Sequence, residues 1–301
     1  MQSHAPQEHR SYLRTPDGFT VRTAGRTELK ACVELYRRVF EIAPREEAVT
    51  PRLLSALGGH SGLVIGAYRD EEPGDPVGFA YSFLSRDERT GTLYQYSQVA
   101  VVEPELQGRG LGQALKMGQR RACLAMGIGL LRWAFDPLRA RNARFNTDVL
   151  GGVVRTFVPD FYGDAAAGRD RGLATDRLIV DWDLMDERVL ARAAGGRARP
   201  AAVRAEGLEP GRVRITYGAA AEPDPAAGPA AAAPVRPATA CLPVPADWAR
   251  WRELNGPERA RALQQRVAAS FTGLLDSGWE AFSCPRATDG LAVYVFRRRS
   301  P

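Results

Sequence analysis

The sequence predicts an α/β protein with a mixed, strongly twisted β-sheet flanked by helices. Segments typical of strands and of helices alternate over residues 19–185, and a glycine-rich turn links a strand to a helix in the middle of this range. The hydrophobic fraction of 45% is enough to fill the core of such a domain. We therefore expect one main α/β domain over residues 19–185 and a smaller α/β extension in the C-terminal part of the chain.

The elements of the main domain follow from the spacing of its apolar residues. A period of two indicates strands, and a spacing of three to four residues indicates helices. The predicted strands are Phe19–Thr23, 63–68, 77–84, Leu93–Val102, Leu130–Phe135, Val153–Val158 and 178–184. The predicted helices are 27–40, 51–57, 111–126 and 140–150.

The flanking segments differ in composition from the main domain. Residues 1–18 are polar and are predicted to be disordered, and residues 186–240 form a variable linker rich in Ala, Pro, Gly and Arg, with one short strand suggested at 213–217. Residues 241–301 are predicted to be the extension, which packs on the main domain. A helix over 248–275 and strands at 278–282 and 291–297 are expected there, and they either complete the sheet or cover the substrate site.

Charge and composition narrow the class of protein. The net charge is +6, and Lys30 and Lys116 are the only lysines among 41 basic residues. Charge alone is compatible with a nucleic acid or with a small polyanion. The arginines are spread along the chain without a nucleic-acid-binding motif, so we expect no nucleic-acid partner. No apolar run reaches the roughly 20 residues that span a bilayer, so we expect no membrane partner either.

The cysteines and histidines indicate neither a metal site nor a disulfide framework. Cys32, Cys123, Cys241 and Cys284 are scattered, and the three histidines are far apart. The first residues contain no apolar segment typical of a secretion signal. We expect a cytoplasmic protein with reduced thiols and no metal, for which a homodimer is an open alternative.

Residues 99–113 form the most informative segment. A strand runs into Pro104, and Gly108, Gly110 and Gly112 follow before a helix. Glycine tolerates the positive φ angles of a tight turn, and the first amides of a helix have no intrahelical acceptor. Such a turn binds a phosphate or pyrophosphate, and Arg109 can add a charge. A dinucleotide site and a P-loop are not supported by the glycine spacing, which leaves a helix start without a ligand as the alternative.

The same segment resembles the acyl-CoA motif of the GNAT N-acyltransferase superfamily, Gln/Arg-x-x-Gly-x-Gly/Ala, through Gln107, Gly110 and Gly112. The resemblance implies the GNAT fold, with the pyrophosphate of acyl-CoA on the turn and the pantetheine arm along the preceding strand. Asn142 is a further contact for the arm or for a substrate carboxylate. The implied cofactor-binding residues are Ala100, Val101, Val102, Gln107, Gly108, Arg109, Gly110, Leu111, Gly112, Gln113 and Asn142.

Further segments are similar to a bacterial subgroup of GNAT acyltransferases. They include Leu115-Lys-Met-Gly-Gln-Arg-Arg, Trp133-Ala-Phe-Asp-Pro-Leu and Val244-Pro-Ala-Asp. Some members of that subgroup resemble partners of N-acylamino-acid racemases. The resemblance implies transfer of an acetyl or succinyl group from acetyl-CoA or succinyl-CoA to the amine of a small molecule, with an amino acid as the expected acceptor.

The resemblance also implies two catalytic groups. A carboxylate at the end of the strand after the CoA helix is often the base, and Asp136 matches it, unless this side chain caps the next turn or pairs with a nearby arginine. The acid for the departing thiolate is usually a tyrosine on the following helix, but Asn146 and Thr147 stand near that position. Tyr162 is the predicted replacement, with solvent or a purely packing role for this tyrosine as alternatives.

The missing tyrosine leaves a second function open. A protein with the same fold that binds acyl-CoA without turnover, as a sensor or interaction module, is compatible with this departure. Retention of CoA without turnover on any amine would distinguish this function from acyl transfer.

Overall fold

The computed structural model describes residues 10–42, 49–71, 74–163, 173–196, 207–216 and 239–299. The chain divides into two compact units, of which the first comprises Met1–Trp133 and Trp182–Ala194 and the second comprises Ala134–Asp181 and Gly195–Pro301. The division differs from the predicted domain boundary at residue 185. Residues 134–181 group with the C-terminal part because their strands pair with strands from it.

The secondary structure confirms the predicted α/β class. In chain order the strands are β1 (Ser11–Arg14), β2 (Phe19–Thr23), β3 (Leu63–Arg69), β4 (Gly78–Arg86), β5 (Leu93–Val102), β6 (Leu130–Phe135), β7 (Val153–Val158), β8 (Arg177–Asp183), β9 (Arg214–Thr216), β10 (Thr239–Pro245), β11 (Trp279–Ser283) and β12 (Leu291–Arg298). The helices are α1 (Leu29–Phe40), α2 (Pro51–Gly59), α3 (Leu111–Ala125), α4 (Ala140–Arg144), α5 (Glu187–Ala193) and α6 (Trp248–Asp276). None of the helices in the described residues is long and apolar enough to cross a membrane.

The strands of the first unit form a mixed sheet, as predicted. β1 to β5 follow one another as antiparallel neighbours, and β5 then pairs with β6 in parallel. A parallel neighbour needs a crossover connection, and α3 provides it between β5 and β6. The connection places the glycine-rich turn at the C-terminal end of β5, where ligands of α/β proteins commonly bind.

Helices cover both faces of this sheet because side chains alternate along its strands. Val64 of β3 packs with the buried residues of α1 and α2. Its neighbour Ile65 packs on the opposite side, with Leu111 and Leu115 of α3. Two apolar clusters therefore hold the sheet between α1 and α2 on one face and α3 on the other.

The second unit is built on antiparallel pairs in the order β8-β7-β11-β12-β10-β9. β11 pairs with β7 through Ala281 and Val154, so the C-terminal strands complete a sheet, which was one of the two roles predicted for them. α6 contacts β7, β10 and β11, and its ring Phe271 packs against Tyr294 of β12. A kink divides α6 at Gly256, whose φ is 78°.

Three segments differ from the sequence prediction. Residues 10–18, predicted as part of a disordered segment, contain β1, because β1 pairs with the edge of β2. The predicted linker contains α5, capped by Asp186, and β9, while residues 197–206 and 217–238 of it lie outside the described residues. The helix predicted over 140–150 ends as α4 and continues into a π-helical turn, Phe145–Val149.

Candidate functional site

In the first unit, the pairing of β5 with β6 ends within the strands, and we call this end of the pairing the wedge. The two strands pair only through Gln95 with Leu131 and Tyr96 with Arg132. β5 then continues to Val102 beside β4, and the described residues of β6 provide no further pairing partner for it. Unpaired backbone groups at a strand edge can bind an extended ligand by the hydrogen bonds that a further strand would make.

A β-bulge lies at the start of this wedge. The pairing of β4 with β5 shifts between Ser97 and Val99, so that Gln98 is the extra residue of β5. A bulge bends its strand and increases the local twist. The bulge therefore lies at the point where the pairing of β5 with β6 ends.

The residues predicted to bind the pantetheine arm lie on the free part of β5. Val101 and Val102 are buried, each in a different apolar cluster, whereas Ala100 is exposed. The two valine side chains thus pack in the core, and the alanine side chain is small. The ligand contact through the backbone that the sequence resemblance implies stays a prediction.

The turn after β5 is held in place by local hydrogen bonds. The Glu103 amide donates to the Val77 carbonyl oxygen at 2.9 Å, and the Gln107 side-chain amide donates to the Val102 carbonyl oxygen at 3.1 Å. Leu106 is buried between these two anchors. The motif residue Gln107 therefore fixes the turn to the strand, and Gly108 and Gly110 after it are exposed.

Two glycines give the turn its shape. Gly108 and Gly110 have φ angles of 84° and 86°, which side chains rarely adopt. A Cβ atom built on Gly110 would meet no atom within 4 Å, so the space in front of it is open. Arg109 between them is exposed and forms no ion pair with a described residue.

The N-terminus of α3 faces this open turn. Gly110 is its N-cap residue and provides no side-chain cap, and the first intrahelical bond runs from Ala114 to the Gly110 carbonyl oxygen at 2.9 Å. The first amides of the helix, from Leu111 to Gln113, are therefore available to an acceptor at the positive end of the helix dipole. These residues fit a pyrophosphate, which would supply the missing acceptors and neutralise Arg109.

A buried lysine, which the sequence analysis did not identify, lies behind the wedge. Lys116 of α3 is 4% exposed. Its Nζ atom donates a hydrogen bond of 2.8 Å to Ser97 Oγ and lies 3.9 Å from the centre of the Trp133 ring. Burial lowers the pKa of this ammonium group to about 7. The sequence does contain a sign of this site, because it places a lysine on the sheet-facing side of a helix in a chain with only one other lysine.

The predicted base, Asp136, belongs to the second unit. Its Oδ1 accepts a hydrogen bond of 2.8 Å from the Leu138 amide, and Arg139 Nε lies 3.4 Å from Oδ2. Its side chain is 20% exposed. The capping and ion-pair contacts that the sequence left as an alternative are thus both present, and the catalytic role of Asp136 stays a prediction.

The other predicted residues of the second unit are more exposed. Tyr162 is 40% exposed, and the guanidinium carbon of Arg177 lies 4.9 Å from the centre of its ring. The Tyr162 amide donates to Thr175 Oγ1 at 2.8 Å, so the backbone of this tyrosine anchors its loop. Asn142 is exposed on α4, and its contact with a ligand stays a prediction.

The position of the absent tyrosine is occupied by buried polar residues. Asn146 and Thr147 lie in the π-helical turn, and Thr147 Oγ1 donates to the Ala143 carbonyl oxygen at 2.9 Å. Asp148 accepts hydrogen bonds from Ser283 Oγ and from the Cys284 amide. This turn therefore joins α4 to the C-terminal strands of the same unit and presents no phenol.

No family model and no curated protein sequence matches the chain. Ribosomal-protein-S5-alanine acetyltransferase from Vibrio fischeri resembles it in fold, with 15% identity and a TM-score of 0.46 over 59% of this chain and 98% of that one. A GNAT-family protein from Desulfovibrio desulfuricans has 18% identity and a TM-score of 0.42 over 56% and 98%. The protein yncA from Salmonella typhimurium, solved with its cofactor acetyl-CoA, has 21% identity and a TM-score of 0.43 over 56% and 95%.

Proposed function

We propose that this protein is a CoA-dependent N-acyltransferase of the GNAT type. It moves an acetyl or succinyl group from acyl-CoA to the amine of a small molecule, for which an amino acid is the expected acceptor. The motif in residues 99–113 supports this proposal, because its glycines coincide with the open turn and with the uncapped start of α3.

The proposal of acyl-CoA as the ligand rests mainly on one observation. A free strand edge and an anion-binding helix start are adjacent in the chain, and the Gln107 side chain ties the turn to the strand. A ligand with an extended polar arm and a pyrophosphate at one end matches both features. Acyl-CoA is such a ligand, whereas a nucleotide alone would leave the edge of β5 unused.

The chemistry is assigned to residues of this chain as follows. Acyl-CoA supplies an activated thioester, the backbone of Ala100 to Val102 orients it, and Gly108 to Gln113 hold its phosphates. We propose Asp136 as the base that takes a proton from the ammonium form of the acceptor, and Asn142 as a polar contact of the ligand. Tyr162, or solvent in its place, is the initial candidate for the acid that protonates the thiolate.

A non-catalytic acyl-CoA-binding module is the second candidate function. The buried Thr147 and Asn146 at the position of the expected tyrosine favour it, because neither side chain has the acidity of a phenol. Both functions require CoA binding at the same turn. They differ in turnover alone.

Calorimetric titration with CoA tests the shared requirement. Gly110→Ala introduces a side chain at a φ of 86° in front of the helix start, and we expect it to weaken CoA binding at least tenfold. Gly127→Ala is the matched control, because Gly127 follows the other end of α3, with a φ of 74° and equally open space around its Cβ position. Equal affinities of both variants and the wild type, or no CoA binding by the wild type, would refute the proposed site.

A further inference from the structure

The amine of Lys116 lies where β5 and β6 stop pairing. The last paired residues are Tyr96 and Arg132, and the next residue of each strand, Ser97 or Trp133, contacts the amine. The side chain reaches this point from the second turn of α3, behind the sheet. The amine therefore occupies the apex of the wedge.

This amine is buried without a counter-charge. None of the described carboxylates forms an ion pair with Lys116, and its hydrogen-bond partner Ser97 donates in turn to Gln119 Oε1 at 3.1 Å. The Nε2 atom of Gln119 is buried and has no hydrogen-bond partner in the described residues. Burial of a lone ammonium group is costly, so the site favours a side chain that can release its proton.

An arginine at this position could not release its proton as a lysine can. A guanidinium group stays protonated in proteins, whereas a lysine amine loses its proton when it is buried. Almost every other basic residue of this chain is arginine, and the remaining lysine, Lys30, is on the surface with its side chain 82% exposed. Lys116 is thus a buried basic residue that can adopt either protonation state near neutral pH.

The apex lies at the right distance from the phosphate turn for the sulfur of CoA. Ser97 precedes Val102, the end of β5, by five residues, which correspond to at most about 17 Å at a rise of roughly 3.3 Å per residue, because the bulge at Gln98 bends this part of the strand. An extended pantetheine arm spans a comparable distance between its pyrophosphate and its sulfur. An arm along β5 from the turn therefore brings the sulfur to the Lys116 amine.

We propose that Lys116 is the acid that protonates the departing thiolate, an inference that rests on the proposed acyl transfer. The acceptor nitrogen, already deprotonated from its ammonium form, forms a bond to the thioester carbonyl carbon and releases a second proton to solvent, and the bond between that carbon and sulfur breaks. The electron pair of the broken bond goes to sulfur, which takes a proton from Lys116 Nζ. The neutral amine regains a proton from solvent before the next turnover. This assignment leaves Tyr162 as the anchor of its loop.

The surroundings of the amine suit an acid that works near neutral pH. The groups facing it from β5 and β6, Ser97 and Trp133, are uncharged, and Gln119 on its own helix is uncharged as well. Burial is the main cause of the lowered pKa, and Cys123, also on α3, acts in the opposite direction. An acid whose pKa lies near the working pH both donates and regains its proton readily.

The test measures the thiol of bound CoA and needs no acceptor. The thiolate absorbs in the ultraviolet, so its formation is followed against pH in complexes with CoA, with desulfo-CoA complexes as blanks. A nearby ammonium group lowers the pKa of a thiol. We expect the acid dissociation constant of the bound thiol to be at least about tenfold larger in the wild type than in Lys116→Met. Lys30→Met is the matched control and should equal the wild type.

Calorimetry on the same variants separates this inference from the proposed function. Lys116→Met should bind CoA within about threefold of the wild type, because the phosphate turn is unchanged. Equal thiol dissociation constants in two variants that both bind CoA would overturn the role of Lys116 and leave the proposed function intact. Absence of CoA binding by the wild type would overturn both. If Lys116→Met does not fold, Lys116→Gln provides the same comparison.

A rate measurement adds a second readout. With an acceptor amine and acetyl-CoA, Lys116→Met should lower kcat by about 10²–10⁴-fold at an unchanged KM for acetyl-CoA, and should remove the fall of kcat at alkaline pH. Full kcat with an unchanged pH profile would contradict the proposal. NMR spectra of lysine-labelled protein contain only two side-chain signals, so the titration of Lys116 can be followed directly beside Lys30.

Discussion

The Tyr294 hydroxyl donates a hydrogen bond of 2.7 Å to the carbonyl oxygen of Pro137, the residue after Asp136. Tyr294 is fully buried in β12, near the C-terminal end of the chain. A loop that carries a predicted catalytic carboxylate is thus fixed by a strand that the sequence assigned to an extension. The C-terminal part of the chain therefore helps to hold this loop in position.

Removal of this hydroxyl should loosen the Asp136 loop. We expect Tyr294→Phe to lower the free energy of unfolding by about 1–3 kcal/mol, because the buried Pro137 carbonyl loses its donor. Urea unfolding followed by fluorescence measures this change. Tyr162→Phe is the control, and loss of the hydroxyl from this exposed residue should leave stability within about 0.5 kcal/mol of the wild type. Equal stability of Tyr294→Phe and the wild type would show that the bond contributes little.

Replacement of Asp136 by asparagine isolates the charge of this side chain. An asparagine oxygen can still accept the hydrogen bond from the Leu138 amide, so the turn should stay capped. We expect Asp136→Asn to lower kcat by about 10²–10⁴-fold with CoA affinity unchanged, as for loss of a general base. The measurement is steady-state thiol release at saturating acyl-CoA.

A second variant separates catalysis from ion pairing at the same site. Arg139→Met removes the cation that lies 3.4 Å from Asp136 but keeps the carboxylate. Its rate should stay within a few-fold of the wild type if Asp136 is the base. If Asp136→Asn keeps the wild-type kcat, Asp136 has only the capping and pairing role seen in the structure.

The stability of the protein should depend on the protonation of Lys116. The pKa of this residue is about 7 in the folded protein, below the value of 10.5 that is ordinary for lysine. Between these values the unfolded chain binds more protons, so the contribution of Lys116 to stability rises with pH by up to about 1.4 kcal/mol per unit. Below pH 7 both states are protonated and the destabilisation by burial is complete.

Lys116→Met should lack this dependence. We expect its advantage in unfolding free energy over the wild type to be largest near pH 6 and to shrink steadily towards pH 10. Chemical denaturation at several pH values measures the difference, and other titrating groups cancel between the two proteins. Parallel curves over this range would mean that Lys116 keeps its ordinary pKa in the folded protein.

Local patterns in the sequence were sufficient for the strand, turn and helix around the glycine-rich turn. The alternation in Leu93–Val102, the glycines from Gly108 to Gly112 and the apolar spacing of α3 each depend on neighbouring residues. The predicted strand, turn and helix are therefore present where the motif placed them. The mixed sheet followed from the helical crossover after β5.

Long-range pairing explains what the sequence did not reveal. β1 is short and polar, and it is a strand because β2 offers it an edge. β11 pairs with β7 across more than a hundred residues, through Ala281 and Val154, and no local pattern indicates such a partner. Lys116 was overlooked for the same reason, since its burial depends on Ser97 and Trp133 from two other elements.

Amine-dependent thiol release tests the central claim most directly. Acetyl-CoA, succinyl-CoA and malonyl-CoA are each mixed with pooled amino acids and the wild-type protein, and free thiol is measured over time with and without the amines. The account predicts release that requires an amine, prefers one donor and is lost in Gly110→Ala but kept in Gly127→Ala. CoA binding without release for any donor and amine would contradict acyl transfer and support the non-catalytic function.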